Sequence, residues 1–530
     1  MQSSDVLSVV GRRTLAHVLR AGFDRSPDRP LLVYDDLDGG VQTYTWRDVF
    51  ARSLALATRL ADAGIGPGDR VHLHLPNRPE FLFHWFAAAM RGAVMVPTNV
   101  GSSVAELTYI LGHVGAQLSV TDSAGMDVVG GARAAARLSG ATWLGDADPL
   151  VRGDESAVVA CDPLTDLSVM YTSGTTSRPK GVRVTHGNYI FAGESVANGL
   201  GLTDDDRFLV VLPLFHANAQ YYSVMSTLIT GGTIILAARF SASGYIDTAV
   251  RHAATVGSLF AAPIRMILAK PSRPEWRAHR LRVVAFAQNL TLGEQAAWER
   301  DVGAPLLQLY GMTETIGPPL MNPLHGPRRH DSLGRVVLGY RCMITDRRGD
   351  AVQRGEVGEL RVGGIPGISL MAGYLKDEAA TAAVMSNGWL RTGDLVREDD
   401  DGLVTFVTRA KDMIKRAGEN IAAGEIEDVL MLHPAVADAA VVGVPDQIRD
   451  ETIVAFVVAA DGELDATALR AWCAERLARF RIPEFFAART GLPRTSVGKI
   501  QKQVLRDEWA AQHDPAGEAL PEADQSAAES

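Results

Sequence analysis

The run Tyr171-Thr172-Ser173-Gly174-Thr175-Thr176-Ser177-Arg178-Pro179-Lys180-Gly181 concentrates groups that could bind an anion. Five hydroxyls lie between Thr172 and Ser177 around one glycine, and the cation Lys180 closes the run. Small residues let backbone approach a ligand closely, and amides, hydroxyls and an ammonium together can hold a polyanion. The flanks Leu167–Tyr171 and Val182–Val184 are short, apolar and β-prone, which predicts strand, tight loop, strand. A flexible Ser/Thr/Gly linker is the competing reading of such a composition, and Pro179-Lys180 with the apolar flanks argue against it. The run is not a P-loop of the GxxxxGK[ST] kind, because Gly181-Val182 follows Lys180. It reads as a phosphate-cradling loop of another design.

Other stretches carry chemistry only in company. His216, in Leu212–Gln220, is by itself a half-buried histidine. Glu314, in Tyr310-Gly311-Met312-Thr313-Glu314, is by itself a solvated carboxylate, and Lys499, in Val497-Gly498-Lys499, a solvated lysine. Asp394 stands beside Gly393, where a carboxylate suits two hydroxyls. Together, in this order between residues 165 and 500, these blocks make the chain similar to the adenylate-forming superfamily of acyl-CoA synthetases, luciferases and peptide-synthetase adenylation domains.

The resemblance implies roles residue by residue. Thr172, Ser173, Gly174, Thr175, Thr176 and Lys180 would hold the β- and γ-phosphates of ATP. Asn289, Tyr310, Gly311 and Met312 would lie at the adenine, with Tyr310 stacked on it, and Thr313 would contact the α-phosphate. Glu314 would bind Mg2+, a hard cation that wants carboxylate oxygen. Asp394 and Arg409 would share the ribose, although Thr408 stands where the family usually has glycine. His216 would face the carboxylic acid. Lys499 would orient the attacking carboxylate, and Lys415 and Gly418 would face the pantetheine of coenzyme A after a rotation hinged near Lys411.

The elements that must position these residues follow from length and pattern. The 530 residues exceed one ordinary core, so two or three domains are expected. Apolar residues at 47% and charged ones at 22% fit a soluble globular protein. The net charge of −10, with no basic block, argues against nucleic acid as a partner. Three distant cysteines supply neither a disulfide framework nor a zinc pattern. No signal peptide or membrane-spanning run is visible, so a cytoplasmic enzyme without a membrane partner is expected. Thr45 should cap a helix reaching Leu60-Ala61. Arg70–Leu75 reads as a strand, Pro79–Gly92 as a helix and Ala93–Pro97 as a strand, a βαβ rhythm that suggests a parallel sheet. Leu212–Gln220 should break a strand and open an apolar helix. Arg282–Ala287 is a strand, Thr291 opens a helix, and Gly355–Leu360 turns into a β-ribbon. After Arg409 come a helix at Ala423–Leu432, strands at Ala439–Val444 and Ile453–Val458 and a helix near Ala466–Arg479.

The expected fold is therefore α/β: a large N-terminal domain of βα layers plus a β-ribbon subdomain over 1–409, a small mobile α+β C-terminal domain over 410–512, and a disordered acidic tail over 513–530. The expected activity is an ATP-dependent carboxylic acid:CoA ligase, with ATP, Mg2+ and coenzyme A, forming an acyl-adenylate and then a thioester. Three other readings stay open: thiolation of an adenylate supplied by a separate partner, adenylation for a carrier protein, and a luciferase-like oxidase. A homodimer also stays open. A nucleotide-binding scaffold would be expected to lack Lys499, Glu314 or Asp394. Ser177-Arg178, Asn289-Leu290 and Ile448–Glu451 resemble the carnitine and crotonobetaine CoA ligase branch. Neutral Asn218 stands where that branch has an acidic residue, so poor use of carnitine and better use of a larger, uncharged-bodied acid are expected. Gln288-Asn289 replaces small residues usual in the superfamily, which marks that loop as bulky at the adenine.

Overall fold

Thr45 Oγ1 accepts from the Asp48 amide at 3.2 Å, and Asp48 Oδ2 accepts from the Thr45 amide at 2.8 Å. This reciprocal cap starts the helix Trp46–Asp62 where the sequence places it. Gly92, at φ 69°, ends the helix Pro79–Arg91 in the left-handed region that glycine tolerates. The strands Arg70–His74 and Val94–Pro97 pair in parallel around that helix, as the βαβ rhythm requires.

The computed structural model describes residues 10–145, 152–172, 179–326, 328–329, 331–416, 419–446, 450–461, 464–495 and 500–512, with backbone only at 411, 419, 420 and 450. They form two compact units. The first comprises Met1–Met343, Arg361–Thr392 and Asp401–Val404, the second Ile344–Leu360, Gly393–Asp400 and Thr405–Ser530.

The first unit has two sheets where the βαβ rhythm alone suggested one. A seven-stranded sheet runs Gly373–Tyr374, Lys180–Thr185, Asp166–Thr172, Val94–Pro97, Arg70–His74, Leu118–Thr121, Thr142–Leu144. A nine-stranded sheet runs Arg335–Val336, Leu320–Met321, Leu306–Tyr310, Val283–Ala287, Val256–Phe260, Arg207–Val210, Thr233–Ala237, Pro30–Asp35, Val41–Thr45. Its interior strands, such as the wholly buried Thr233–Ala237, are near-continuous apolar runs, as parallel strands covered on both faces must be. From Arg207–Val210 the chain crosses to Thr233–Ala237 on one side and then to Val256–Phe260 on the other. That reversal makes a switch point, and in open α/β sheets ligands bind outside the carboxyl ends of the strands there. Residues 211–216 leave the sheet at that end.

The expected apolar helix after His216 begins as a π-helical turn, Asn218–Val224, before becoming α-helical at Met225–Thr230. Apolar periodicity cannot separate the two, and such wide turns recur at functional sites. In the second unit, Met413–Arg416, Asp450–Ala459 and Val436–Asp446 build an antiparallel sheet with Phe485–Arg489 beside Asp450–Ala459. Ala439, Val441, Ile453 and Val457 pack with Ile426, Leu430 and Leu469, while Val442, Val444 and Phe456 pack with Leu505 and Trp509. Helices cover both faces. No helix among the described residues is long and apolar enough to cross a membrane.

Candidate active site

The phosphate-loop candidate spans the end of an antiparallel hairpin. Thr172 stands opposite Lys180 and Tyr171 opposite Gly181, which is the strand–loop–strand expected from the flanks. Ser173, Gly174, Thr175 and Thr176 lie outside the described residues. The stem is braced from the helix Val104–Val114: Tyr109 Oη donates to the Pro179 carbonyl at 3.1 Å, and His113 Nδ1 lies 2.7 Å from Tyr171 Oη. Burial pushes the Tyr171 hydroxyl pKa up and that of His113 down, so both are neutral near pH 7. Gly181 is required by close packing, since a Cβ there would sit 2.8 Å from Val169 Cγ1.

Lys180 Nζ lies 5.0 Å from the centroid of the Tyr374 ring, and Tyr374 Oη donates to Glu314 Oε1 at 3.0 Å. Glu314 is buried at 6% exposure in the short 3₁₀ turn Thr313–Thr315. Burial, then the Glu314 carboxylate, raise the pKa of the Tyr374 hydroxyl. The turn is fixed from both ends. The Met312 amide donates to Thr315 Oγ1 at 3.0 Å, and Ile316 adopts φ 66°, uncommon for a β-branched residue. Tyr310, Gly311, Met312 and Thr313 are half-buried.

On the adjacent strand end, Gln308 Nε2 donates to the Gln288 carbonyl and to Asn289 Oδ1, each at 3.1 Å. Arg265 Nη2 donates to the Asn289 carbonyl at 3.0 Å. Gln288 is held at φ 75°. The bulky loop flagged in the sequence is thus a braced one, with Asn289 exposed at its tip.

The switch-point turn is braced as well. Asn77 Nδ2 donates to the Leu212 carbonyl at 3.0 Å, and Asn77 Oδ1 accepts from the Leu214 amide at 2.8 Å. Gln220 Nε2 donates to the Leu214 carbonyl at 2.6 Å while its Oε1 accepts from Tyr189 Oη at 2.5 Å. His216 is half-buried against Phe215, ring centroids 4.2 Å apart. Ser258 Oγ donates to Asn218 Oδ1 at 2.9 Å, and the buried Asn218 Nδ2 has no hydrogen-bond partner among the described residues. The Tyr222 hydroxyl abuts Gly311, where any side chain would collide with it, so the π turn touches the Tyr310–Glu314 block.

In the second unit, Asp394 Oδ1 lies 3.2 Å from Arg409 Nε. Asp394 is buried on the strand Trp389–Glu398, and Arg409 ends the neighbouring strand Val404–Arg409. Gly393 beside it takes φ 72° and donates its amide to Glu359 Oε1 at 3.2 Å. Lys415 is exposed on Met413–Arg416, its amide donating to Glu451 Oε2 at 2.6 Å. Gly418 and Lys499 lie outside the described residues.

The structure thus brings Lys180 and Glu314 to one tyrosine and pairs Asp394 with Arg409. It adds Tyr374, Gln308, Arg265, Asn77 and Gln220, which sequence reasoning missed. Of these only Gln308 was signalled, as a polar residue inside the apolar run Leu306–Tyr310.

A fold of two βα layers with a smaller α+β unit is that of the nucleotide-using ligases of the adenylate-forming class. A family model described as AMP-binding enzyme matches residues 19–375, and one described as AMP-binding enzyme C-terminal domain matches 425–499. The chain belongs to the AMP-binding enzyme family. It is 36% identical over 517 residues to the crotonobetaine/carnitine–CoA ligase of Salmonella typhi, covering 94% of this chain and all of that one. Among solved structures it is similar to O-succinylbenzoate coenzyme A synthetase of Bacillus subtilis in complex with ATP and magnesium ion. The TM-score is 0.82 and the identity 31%, over 93% of this chain and 98% of that one. It is also similar to ATP-bound MatB from Rhodopseudomonas palustris, with TM-score 0.84 and 26% identity over 93% and 99%. Within the family the chain is an acid–thiol ligase of the acyl-CoA synthetase kind, working through an acyl-adenylate.

Proposed function

We propose that the enzyme joins a carboxylic acid with an uncharged body to coenzyme A in the cytoplasm. The observation that carries the choice of acid is that the two segments leading from the switch point supply no counter-charge of their own. Neither Leu212–Thr230 nor Val256–Ala262 contains Asp or Glu, and Asn218 of the first, tied to Ser258 of the second, is neutral. A trimethylammonium group is recognised by a carboxylate or an aromatic cage. Tyr221 offers no such cage, because it is fully buried edge-on to Tyr189, ring centroids 5.4 Å apart.

ATP and the acid are both anions, so their reaction needs positioning and neutralisation more than a protein nucleophile. Lys180 and the Thr172–Thr176 loop take the terminal phosphates, Thr313 the α-phosphate, Tyr310 with Gly311, Met312 and Asn289 the adenine, and Asp394 with Arg409 the ribose. Glu314 fits a Mg2+ site: a single buried carboxylate suits a hard cation that keeps waters and substrate phosphates as its other ligands. Among the described residues no group of three or more His, Cys, Asp and Glu forms an all-protein cage. The ion held there would offset charge on the departing pyrophosphate. His216 flanks the acid, and Lys499 orients its carboxylate oxygen on the α-phosphorus as the bond to pyrophosphate breaks. The thiol sulfur, losing its proton to solvent, then attacks the acyl carbon beside Lys415 and Gly418, and AMP leaves with the electron pair of the broken acyl–oxygen bond.

The test is an acid screen with ATP and coenzyme A, reading AMP and pyrophosphate, with L-carnitine as the cationic arm and a phosphopantetheinyl carrier protein as a second thiol arm. Neutral-bodied acids are expected to turn over well above L-carnitine with coenzyme A as acceptor. Carnitine turnover equal to or above that of every other acid refutes the assignment of the acid, and AMP release that depends on the carrier protein alone refutes that of the thiol.

A further inference from the structure

Tyr374 is used by none of the roles above, yet it touches two of the charged residues that are. The strand Gly373–Tyr374 pairs antiparallel with Lys180–Thr185, and Tyr374 stands opposite Val182. Side chains two apart on a strand share a face, so this register puts the tyrosine ring on the face that carries Lys180. Lys180 Nζ sits over the ring at 5.0 Å, within cation–π range, while the hydroxyl donates to Glu314 Oε1 at 3.0 Å. The backbone around it is tied at both ends. The Met371 amide donates to the carbonyl of Glu314 itself at 3.0 Å, and the Ala372 and Leu375 amides donate to the Arg183 and Gly181 carbonyls at 3.0 and 2.8 Å. One short segment therefore fixes the distance between an ammonium on the seven-stranded sheet and a carboxylate at the end of a strand of the nine-stranded sheet.

That distance matters because the two groups attract each other. With nothing between them, an ammonium and a buried carboxylate would close into an ion pair, and each would lose its capacity for a ligand of opposite charge. Lys180 forms no ion pair among the described residues. The ring meets the ammonium on its face and engages the carboxylate through its oxygen, so both are held without neutralising one another.

We propose that Tyr374 is a positioning residue that spaces Lys180 from Glu314, keeping them as opposite walls of a slot for a polyphosphate with its divalent cation. The proposal rests on the ATP reading above. The test is calorimetric titration of the full chain with ATP, once in excess EDTA and once in excess Mg2+. Wild type binds more tightly with Mg2+. Tyr374→Phe keeps the ring under Lys180 but removes the hydrogen bond to Glu314 Oε1, so it loses roughly tenfold of the Mg2+-dependent gain and keeps its affinity in EDTA. Tyr374→Leu lets the pair close and lowers affinity under both conditions. In a Glu314→Gln background Tyr374→Phe has no further effect on the gain. With Glu314 in place, Tyr374→His, which keeps a ring and a donor, retains the gain that Tyr374→Phe loses. A Tyr374→Phe chain with the full Mg2+ gain, or with equal losses in both titrations, overturns the proposal. If wild type binds no ATP under either condition, the ATP reading falls first. Should Tyr374→Leu fail to fold, the Phe and His variants decide.

Discussion

Asn218→Asp probes the acid pocket, because it changes charge while keeping shape. Ser258 Oγ already donates to Asn218 Oδ1 at 2.9 Å and can donate to a carboxylate unchanged. The change falls at Nδ2, buried and without a hydrogen-bond partner among the described residues, where a donor becomes an anionic acceptor. A cation about 4 Å from that oxygen would interact by about 4 kcal/mol at an effective dielectric near 20. Desolvation of the buried carboxylate opposes much of this, leaving about 1–3 kcal/mol in favour of a cationic acid over a neutral isostere. The preference should therefore shift by roughly 5- to 150-fold. The assay is kcat/KM, from AMP release, for L-carnitine and for the acid in which tert-butyl replaces trimethylammonium. Their ratio within one variant cancels any loss of folded enzyme. A companion stability measurement has a defined sign. Burial raises the new carboxyl's pKa in the folded state, so its protonated form is favoured there. The variant's deficit against wild type should be absent below the unfolded pKa of about 4 and grow as pH rises through the folded value. If the ratio stays within about twofold of wild type while ATP binding is intact, Asn218 does not face the acid.

Asp394→Ala should raise the KM for ATP roughly 10- to 100-fold, each charge-assisted hydrogen bond to ribose contributing about 1.5–3 kcal/mol. Its melting temperature should barely move, because the Arg409 side chain left behind is 41% exposed and stays hydrated, and an unchanged KM would remove Asp394 from the ribose. Lys499→Ala should abolish ATP–pyrophosphate exchange yet convert a supplied acyl-adenylate to thioester, while Lys411→Pro should do the reverse because proline fixes φ; equal loss of both half-reactions in folded Lys499→Ala refutes separate roles. His186 is buried, which lowers its pKa to about 4, so its contribution of about 3 kcal/mol is present above its unfolded pKa near 6.5 and lost as pH falls toward 4. Chemical denaturation of wild type and His186→Gln should show that difference, and parallel pH profiles would exclude it.

What the sequence could and could not say separates by distance along the chain. The strand, loop and strand around the phosphate loop were legible because apolar flanks and a small-residue turn are local signals; the register, Thr172 opposite Lys180, comes from the structure. The βα rhythm was legible for the same reason. Which sheet each strand joins was not: Pro30–Asp35 precedes Arg70–His74 closely in sequence, yet pairs with Thr233–Ala237 some two hundred residues on. Strand propensity says that a segment fits a half-buried pleated surface and nothing about whose surface it is. Tyr374 was invisible on the same grounds, since a two-residue strand has no period to detect and its role comes wholly from its register with Val182.

Gln288-Asn289 is the case in between. Bulk in a loop expected at the adenine was visible in the residue types, but its consequence depended on a dihedral angle. At φ 75° Gln288 occupies the region that costs an L-residue about 1–2 kcal/mol and glycine nothing. The chain departs from small residues at the position where its backbone favours one. Gln308 and Arg265, grasping both carbonyls of the dipeptide, hold it there. Strain persists only where surrounding contacts over-determine it. The polar residue within Leu306–Tyr310 is therefore explained by the strained residue across the strand ends: a buried amide needs a partner, and the partner it has is the loop that a flexible glycine would otherwise form.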